Sequence, residues 1–222
     1  WINGLHRFVG HKDILLIGNK SDVLPKSVNR NRLINWMRAE AVKLGLKPSD
    51  VLLVSAHKGH GMEEALAAID TIRKGKDVYV VGCTNVGKST FINRIIKEAT
   101  GVGEVITTSH FPGTTLDLVE IPLDDGKAIY DTPGIINDHQ IAHHLDAKDL
   151  KAITPKKELK PKVFQLNPEQ TLFIGGLARF DFIKGDRSSF TIHVSNELPI
   201  HRTKLDNADA LYEKHLGDML SP

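Results

Sequence analysis

Short apolar runs alternate with segments of helical periodicity over the first 150 residues of the chain. Residues 14–17, 51–54 and 78–81 are apolar, rich in β-branched side chains, and have the length of buried strands. Each run is followed by a segment in which apolar residues recur every three or four positions. Strands that alternate with helices predict an α/β fold, in which helices cover both faces of a mostly parallel sheet.

Three helices and a hairpin complete this first region. Helical spacing predicts helices over residues 33–44, 62–72 and 91–96. A hairpin is predicted from strands over 116–123 and 128–130, because Asp124-Asp125-Gly126 between them is a favourable turn. The region is therefore expected to contain five strands.

The pattern changes near residue 150. Residues 148–162 contain six lysines and two acidic residues, and Pro155 and Pro161 interrupt them, so we interpret this stretch as a basic linker. Apolar residues then alternate with polar ones, which predicts antiparallel strands, and a helix is expected over 206–217. The predicted domains are an α/β domain over 1–147, the linker, and a small antiparallel β-rich domain with a helix over 163–222.

Composition narrows the class of protein. The 222 residues are 41% hydrophobic and 25% charged, which suits a chain with its own core and excludes a disordered one. The apolar runs are too short to span a bilayer, so no membrane partner is predicted. A net charge of +2 gives no strong argument for a nucleic-acid partner, and DNA is not predicted. The single cysteine, Cys83, favours a reducing location inside the cell.

The strongest chemical signal is the run Gly82-Cys83-Thr84-Asn85-Val86-Gly87-Lys88-Ser89. It matches G-x-x-x-x-G-K-S/T, the phosphate loop, and lies directly between a predicted strand and a predicted helix. Backbone N–H groups of such a loop face the β-phosphate, Lys88 reaches the β- and γ-phosphates, and the Ser89 hydroxyl is a ligand for Mg²⁺. The nucleotide-binding residues predicted here are Asn85, Val86, Gly87, Lys88, Ser89 and Thr90.

A second motif, Asp131-Thr132-Pro133-Gly134, ends the predicted hairpin. The Asp131 carboxylate can hold the water shell of Mg²⁺, and the Gly134 N–H can face the γ-phosphate. Taken alone, these four residues are as consistent with a turn. Because they follow a phosphate loop, we favour the functional interpretation.

Two further motifs fit the recognition of guanine. Asn19-Lys20-Ser21-Asp22 follows the first strand, and Ser55-Ala56 ends the second. A carboxylate at Asp22 can accept from guanine N1–H and the 2-amino group, which adenine lacks, and a backbone N–H at Ser55-Ala56 can face guanine O6. Each motif is weak alone, but the pair on two strand ends is specific. The predicted base-recognition residues are Asn19, Lys20, Asp22, Ser55 and Ala56.

Together these motifs resemble the translation-factor class of P-loop GTPases, but in a rotated order. The guanine motifs precede the phosphate loop, as in the circularly permuted GTPases of the YqeH type, to which residues 80–93 and 111–115 are especially similar. The resemblance implies GTP or GDP and Mg²⁺ as ligands. It also implies a role in small-subunit ribosome biogenesis through rRNA or ribosomal proteins, in the bacterial cytoplasm or, alternatively, an organelle. The C-terminal domain is similar to the tryptophan-operon RNA-binding attenuator protein.

The resemblance also implies a catalytic set made of Lys88, Thr115, Gly134 and Asn85. Thr115, with Thr114 as the alternative, closes on Mg²⁺ and the γ-phosphate. Ile135 stands where Ras-like GTPases place a water-orienting Gln, so the water must be positioned in another way. Slow intrinsic hydrolysis is expected because no arginine is evident in the switch segments. Asn85 is equally consistent with binding K⁺ and with stabilising the loop.

Three expectations concern the rest of the protein. The family's sheet has six strands, and its sixth strand and a Cys-rich zinc segment are expected upstream of Trp1, where the chain begins without Met. The domain exit follows Gly134, so switch ordering is expected to act on the linker. The alternatives are a nucleotide-gated RNA- or protein-binding module in which hydrolysis is incidental, and a P-loop ATPase or kinase, against which residues 19–22 argue.

Overall fold

The chain folds into two compact units. The structure, a computed structural model, describes residues 12–100, 119–132, 141 and 144–222. One unit comprises Trp1–Asp22 and Ser27–Asp138, and the other comprises Val23–Lys26 and His139–Pro222. The predicted domain boundaries, with an α/β domain over 1–147, stay a prediction.

The first unit alternates strands with helices, as the hydrophobic pattern predicts. Its elements are β1 (Leu15–Gly18), α1 (Arg30–Lys43), β2 (Asp50–Leu53), α2 (Met62–Arg73), β3 (Val78–Val80), α3 (Lys88–Thr100), β4 (Val119–Pro122) and β5 (Ala128–Asp131). Helix α1 begins at a standard N-cap, because the Asn29 side chain accepts a hydrogen bond from the Arg32 N–H at 3.0 Å. Each predicted helix and strand of this region is present, with ends shifted by no more than four residues.

The described strands of the first unit pair as two sheets instead of one. Strand β1 pairs in parallel with β2, while β3 pairs in parallel with β5 and β5 pairs antiparallel with β4. Within the described residues, β1 and β3 each have one unpaired edge. The α/β architecture is confirmed. No described strand pairs with both β1 and β3, and the sixth strand expected upstream stays a prediction.

One apolar core supports both sheets. Four side chains recur at helical spacing on α3 and pack against α2 and the strands, and Ile17 and Leu52 of the β1–β2 sheet contact the same core. The buried members are Val54, Ala56, Met62, Ala65, Phe91, Ile92, Ile95, Ile96, Ile121 and Ile129. Fully burying one such large side chain stabilises the fold by roughly 1.5–3 kcal/mol. This core therefore fixes the strand ends at which the sequence motifs lie.

The second unit is antiparallel and β-rich, as predicted. Its elements are α4 (Ala147–Ile153), β6 (Lys162–Leu166), β7 (Gln170–Ile174), β8 (Ala178–Phe182), β9 (Ser188–Ile192), β10 (Ile200–Lys204) and α5 (Ala208–His215). The strands form a three-stranded sheet in the order β10–β7–β8 and a two-stranded β6–β9 sheet. Among the described residues of both units, no helix is long and apolar enough to cross a bilayer.

Aromatic side chains fill both sides of the three-stranded sheet. On one side, Phe190 of β9 contacts Phe180 and Phe182 of β8, with ring centroids 4.9 and 5.1 Å apart. On the other side, Phe173 of β7 stacks on Tyr212 of α5 at 6.0 Å. These pairs are worth about 0.5–1.5 kcal/mol beyond their buried area. Phe180 and Phe182 therefore both pack against Phe190, and Phe180 stays 37% exposed.

A charged network holds α5 on the sheet. Arg179 donates to Asp181 at 2.8 Å and to Asp209 of α5, and its guanidinium lies over the Phe173 ring at 5.8 Å. The buried Thr171 hydroxyl also donates to Asp181, at 2.6 Å. The hydrogen bond from Arg179 lowers the pKa of Asp181 below its ordinary value. One arginine thus joins two strands and a helix.

The stretch interpreted as a linker, residues 148–162, includes most of helix α4. The Asp146 side chain caps this helix by accepting from the Asp149 N–H at 2.7 Å. Further on, the Asn196 amide donates to the Glu158 carbonyl at 2.8 Å and accepts from the Lys160 N–H at 2.9 Å. The linker assignment stays a prediction, and parts of the stretch are hydrogen-bonded within the second unit.

Candidate nucleotide-binding site

The predicted motifs lie where the strands of the first unit end. Residues 19–22 follow β1, residues 55–56 lie just beyond β2, residues 82–89 follow β3, and Asp131 closes β5. Ligands of open α/β sheets bind outside the carboxyl ends of the parallel strands. The fold therefore gathers these motifs at the edge where a nucleotide would bind.

Asn19 connects three of the motifs through its side chain. Its amide nitrogen donates to the carbonyls of Val86 and Gly87 in the phosphate loop, at 3.3 and 3.2 Å. Its amide oxygen accepts from the N–H groups of Lys20 and Ala56, at 2.7 and 3.0 Å. The sequence predicts that a backbone N–H at Ser55-Ala56 faces guanine O6; in this structure the Ala56 N–H donates to Asn19 and the Ser55 N–H donates to the His60 carbonyl at 2.9 Å.

Lys20 adds a second connection between the guanine motif and the phosphate loop. Its ammonium group donates to the carbonyl of Asn85 at 2.6 Å. Both residues have left-handed backbone conformations, with φ of 62° at Lys20 and 64° at Asn85. Such conformations are sparsely populated by residues other than glycine and cluster at binding sites. The sequence places Lys20 beside the base, and the structure adds a contact with the loop.

Asp22 is held in a defined orientation by Ser55, which lies just beyond β2. The Ser55 hydroxyl donates to Asp22 Oδ1 at 2.6 Å and accepts from the Lys58 N–H at 3.1 Å. Ser55 is fully buried, and the Ser21 N–H donates to the Val54 carbonyl at 2.9 Å, which brings the two segments together. A carboxylate oriented in this way is suited to accept two N–H groups from a planar base.

Lys88 and Asp131 form a close ion pair between the phosphate loop and β5. The Lys88 ammonium lies 2.6 Å from Asp131 Oδ1 and also donates to the Thr132 carbonyl. The Thr132 hydroxyl donates to the Val80 carbonyl at 2.9 Å, so the end of β5 is fastened to β3. The sequence did not single out Thr132, because the middle positions of its motif carry no side-chain requirement.

Two side chains at this edge, Ser89 and Asp131, carry oxygen atoms of the kind that bind Mg²⁺, although Asp131 Oδ1 is paired with Lys88 in this structure. Ser89 is the second residue of α3 and supplies a hydroxyl, while Asp131 supplies carboxylate oxygens. Mg²⁺ prefers oxygen ligands and is usually held by one or two protein groups together with phosphates and water. Thr115 and Gly134, also predicted for this site, lie outside the described residues, so their roles stay predictions.

Glycine is required at position 87 of the phosphate loop. Gly87 has φ of +85°, and a Cβ added there would lie 2.6 Å from the amide nitrogen of Asn19. A side chain at this position would therefore push against the same amide that joins the motifs. Gly126, in the β4–β5 turn, has a similar φ of +75° but nothing within 4 Å of an added Cβ.

We expect Gly87→Ala to weaken GDP binding at least tenfold and to lower the free energy of unfolding by about 1–3 kcal/mol. The matched control Gly126→Ala carries backbone strain alone, so it should lose about 1 kcal/mol and bind GDP normally. Urea unfolding and titration with a fluorescent GDP analogue measure the two effects. Equal GDP affinities in the two variants would contradict the importance of the Asn19 contact.

Comparisons with known proteins agree with this site. Residues 77–168 match the family model described as "50S ribosome-binding GTPase", and residues 187–222 match the one described as "YqeH-like, C-terminal". The first match contains the phosphate loop and Asp131. The second covers the end of the antiparallel unit.

Several relatives align with this chain. It is 67% identical over 222 residues to YqeH of Bacillus subtilis, covering 100% of this chain and 61% of that protein. It is 33% identical over 239 residues to NO-associated protein 1, chloroplastic/mitochondrial, of Arabidopsis thaliana, covering 96% and 43%. It is 36% identical over 112 residues to GTPase Der of Nitrosococcus oceani, covering 44% and 23%. The chain thus spans less than two thirds of each relative.

Motif order, site geometry and these matches lead to one assignment. The guanine motifs precede the phosphate loop in the sequence, yet the Asn19 and Lys20 side chains of the first motif contact that loop in the fold. The matched family models are those of a GTPase and of the YqeH C-terminal region. The chain belongs to the YqeH-like family of P-loop GTPases.

Proposed function

We propose that this protein is a GTP-binding and GTP-hydrolysing switch that acts in the biogenesis of the small ribosomal subunit. The observation that carries the proposal is the bonding of Asn19, which joins the phosphate loop to both guanine motifs. A site built this way holds phosphate and base at the same time. The nucleotide selected is GTP or GDP, because Asp22 can accept hydrogen bonds that adenine does not offer.

The proposed mechanism depends mainly on positioning charge. Backbone N–H groups of the phosphate loop and the Lys88 ammonium bind the phosphates and stabilise the charge that develops during transfer. Ser89 and Asp131, with the predicted Thr115, would hold Mg²⁺, which neutralises phosphate charge when bound. Gly134 is the predicted donor to the γ-phosphate. Ile135 cannot hydrogen-bond to water, so the water must be positioned in another way, and unassisted turnover is expected to be slow because no arginine is evident in the switch segments.

Base selection gives a direct test of the Asp22 assignment. We expect Asp22→Asn to weaken GTP binding at least tenfold, because two charge-assisted hydrogen bonds to guanine are lost. The Asn amide can instead donate to the carbonyl that xanthine carries in place of the amino group, so affinity for XTP should rise. Competition of GTP, XTP and ATP against fluorescent GDP measures this exchange.

The matched control is Asp124→Asn, which removes an exposed carboxylate in the β4–β5 turn. It should leave the preference for GTP unchanged. Equal competition by ATP and GTP in the unsubstituted protein would instead revive the ATPase or kinase alternative and remove the guanine assignment altogether.

We also propose that K⁺ assists hydrolysis through Asn85. A cation at this position can neutralise charge that develops between the phosphates, as an arginine does in other GTPases. The φ of 64° at Asn85 offers a purely structural reason for the residue, because Asn tolerates this conformation well. Asn85→Gly separates the two roles, since glycine adopts the same backbone conformation without the side chain.

The expected result is faster GTP turnover in KCl than in NaCl for the unsubstituted protein, with the difference lost in Asn85→Gly. Fluorescent GDP affinity should stay within about twofold, because the backbone of the loop is preserved. A single-turnover assay in the two salts measures both rates. No difference between KCl and NaCl in the unsubstituted protein would leave Asn85 with the structural role alone.

Ribosome association is the part of the proposal that concerns partners. The matched family description names 50S ribosome binding, whereas the sequence resemblance favours the small subunit, with rRNA or ribosomal proteins as the contact. The basic residues 148–162 are suited to approach rRNA phosphates. The predicted cytoplasmic location follows from this role and belongs to the same proposal.

Purified subunits distinguish these possibilities. We expect GTP hydrolysis by the protein to accelerate at least tenfold with small subunits and to change little with large ones, because the correct assembly partner should order the switch residues. Acceleration by large subunits alone would contradict the small-subunit assignment. Nucleotide-dependent binding to small subunits without acceleration would support a binding module in which hydrolysis is incidental.

A further inference from the structure

Helix α1 carries a large aromatic side chain on its solvent face. Trp36 is 58% exposed, and Val42 on the same helix is 54% exposed. Arg32, Trp36, Ala39 and Lys43 follow one another at spacings of four, three and four residues, which places them in a row along one side of the helix. All four are exposed. We call this row, together with Val42, the α1 outer face.

The charges on the α1 outer face have one sign. Arg32 and Lys43 flank Trp36, and Lys47 lies exposed just beyond the helix. The helix contains one carboxylate, Glu40, which is half-buried and accepts from the Lys43 ammonium at 2.7 Å. A row of exposed cations around an exposed indole is complementary to a polyanion with planar groups.

The other two arginines of α1, Arg30 and Arg38, form hydrogen bonds to β2 and to the loop that precedes it. Arg30 donates to the Leu53 carbonyl at 3.2 Å. Arg38 donates to the Asp50 carboxylate at 3.2 Å and to the Pro48 carbonyl at 3.3 Å. These two residues fasten the helix to β2 and its preceding loop. The helix therefore separates arginines with a structural role from the cations of its outer face.

We propose that the α1 outer face binds single-stranded RNA, with a base stacked on Trp36 and phosphates held by Arg32 and Lys43. An exposed base can stack on an indole, and such stacking is tolerant of sequence because every base has a π face. Double-stranded RNA offers phosphates but keeps its bases stacked inside the helix. The ligand chemistry is therefore an unpaired stretch of RNA.

This inference goes beyond the proposed GTPase. None of Arg32, Trp36 and Lys43 takes part in the hydrogen bonds that join the guanine motifs to the phosphate loop. A protein that fails to hydrolyse GTP can still bind RNA on this helix. A protein that does not bind RNA there can still hydrolyse GTP. The two proposals are consequently tested by separate measurements.

The fluorescence of Trp36 can be used to detect RNA binding directly. The sequence has two tryptophans, Trp1 and Trp36, so Trp1→Phe leaves Trp36 as the sole indole. We expect saturable quenching of its fluorescence by a mixed-sequence RNA 12-mer. Inorganic polyphosphate, which has charge but no bases, and the same RNA annealed into a duplex should quench little. Equal quenching by polyphosphate, or none by the single strand, would overturn the stacking proposal.

Variants of the α1 outer face then separate stacking from charge. Trp36→Ala should weaken binding of fluorescein-labelled RNA at least fivefold, and Trp36→Phe should lose less because a smaller ring remains. In a plot of log K for RNA binding against log salt concentration, the double variant Arg32→Gln/Lys43→Gln should have a slope smaller in magnitude by about 1.4. Each phosphate contact on a single strand contributes about 0.7 to that slope. Anisotropy titrations at several salt concentrations give both quantities.

The matched control is Lys76→Gln/Lys127→Gln, which removes two exposed lysines elsewhere in the same unit. It should leave affinity and salt dependence within about twofold of the unsubstituted protein, as expected for charges outside the contact. GTP turnover without ribosomes should be unchanged in every variant of the α1 outer face. Similar losses in the control and in the α1 charge variant would mean that RNA follows overall charge, and would overturn the assignment to this helix.

Discussion

The arrangement of the nucleotide site depends on one side-chain amide. Asn19 follows β1, yet its nitrogen donates to Val86 and Gly87 and its oxygen accepts from Ala56, so it joins segments widely separated in the sequence. This bonding requires a glycine at position 87, where a Cβ would lie 2.6 Å from the amide. Because the bonds form in space between strand ends, they do not depend on the order in which the chain visits those ends. A permuted order of motifs can therefore produce the same site.

Most elements of the fold could be predicted from the sequence because they depend on local patterns. Strands β1, β2 and β3 follow from β-branched runs, and the β4–β5 hairpin follows from its turn. Their predicted burial is wrong in part, because β1 is only half-buried along its length and Tyr79 in the middle of β3 is 57% exposed. The division into two sheets could not be predicted in this way, because strand pairing is non-local and an apolar run does not indicate which edge of its strand is paired. The antiparallel strands of the second unit follow from the alternation of apolar and polar residues. The hydrogen bond from Arg179 to Asp209 on α5 does not, because it joins residues that are far apart in the sequence.

In the candidate site, too, the sequence does not predict contacts between side chains that are far apart in the chain. Motif spacing identified Asn19, Lys20, Asp22, Ser55 and the phosphate loop, because these residue types have restricted chemical uses. It did not indicate that the Lys20 ammonium contacts the Asn85 carbonyl, or that Ser55 orients Asp22. Such bonds depend on side-chain reach and on unusual backbone conformations, such as φ of 62° at Lys20. A sequence motif therefore predicts what a side chain can bind, but it does not predict which residues of the fold hold that side chain in place.

The two units are connected at more positions than the sequence suggested. The expected connection follows Gly134, where switch ordering would act on the linker. The structure adds another, since Asp22 belongs to the first unit and the adjacent Val23 to the second. Within the second unit, the Val23 carbonyl accepts from the Leu159 N–H at 2.9 Å. The residue proposed to recognise guanine is thus one peptide bond from backbone that is paired with the predicted linker.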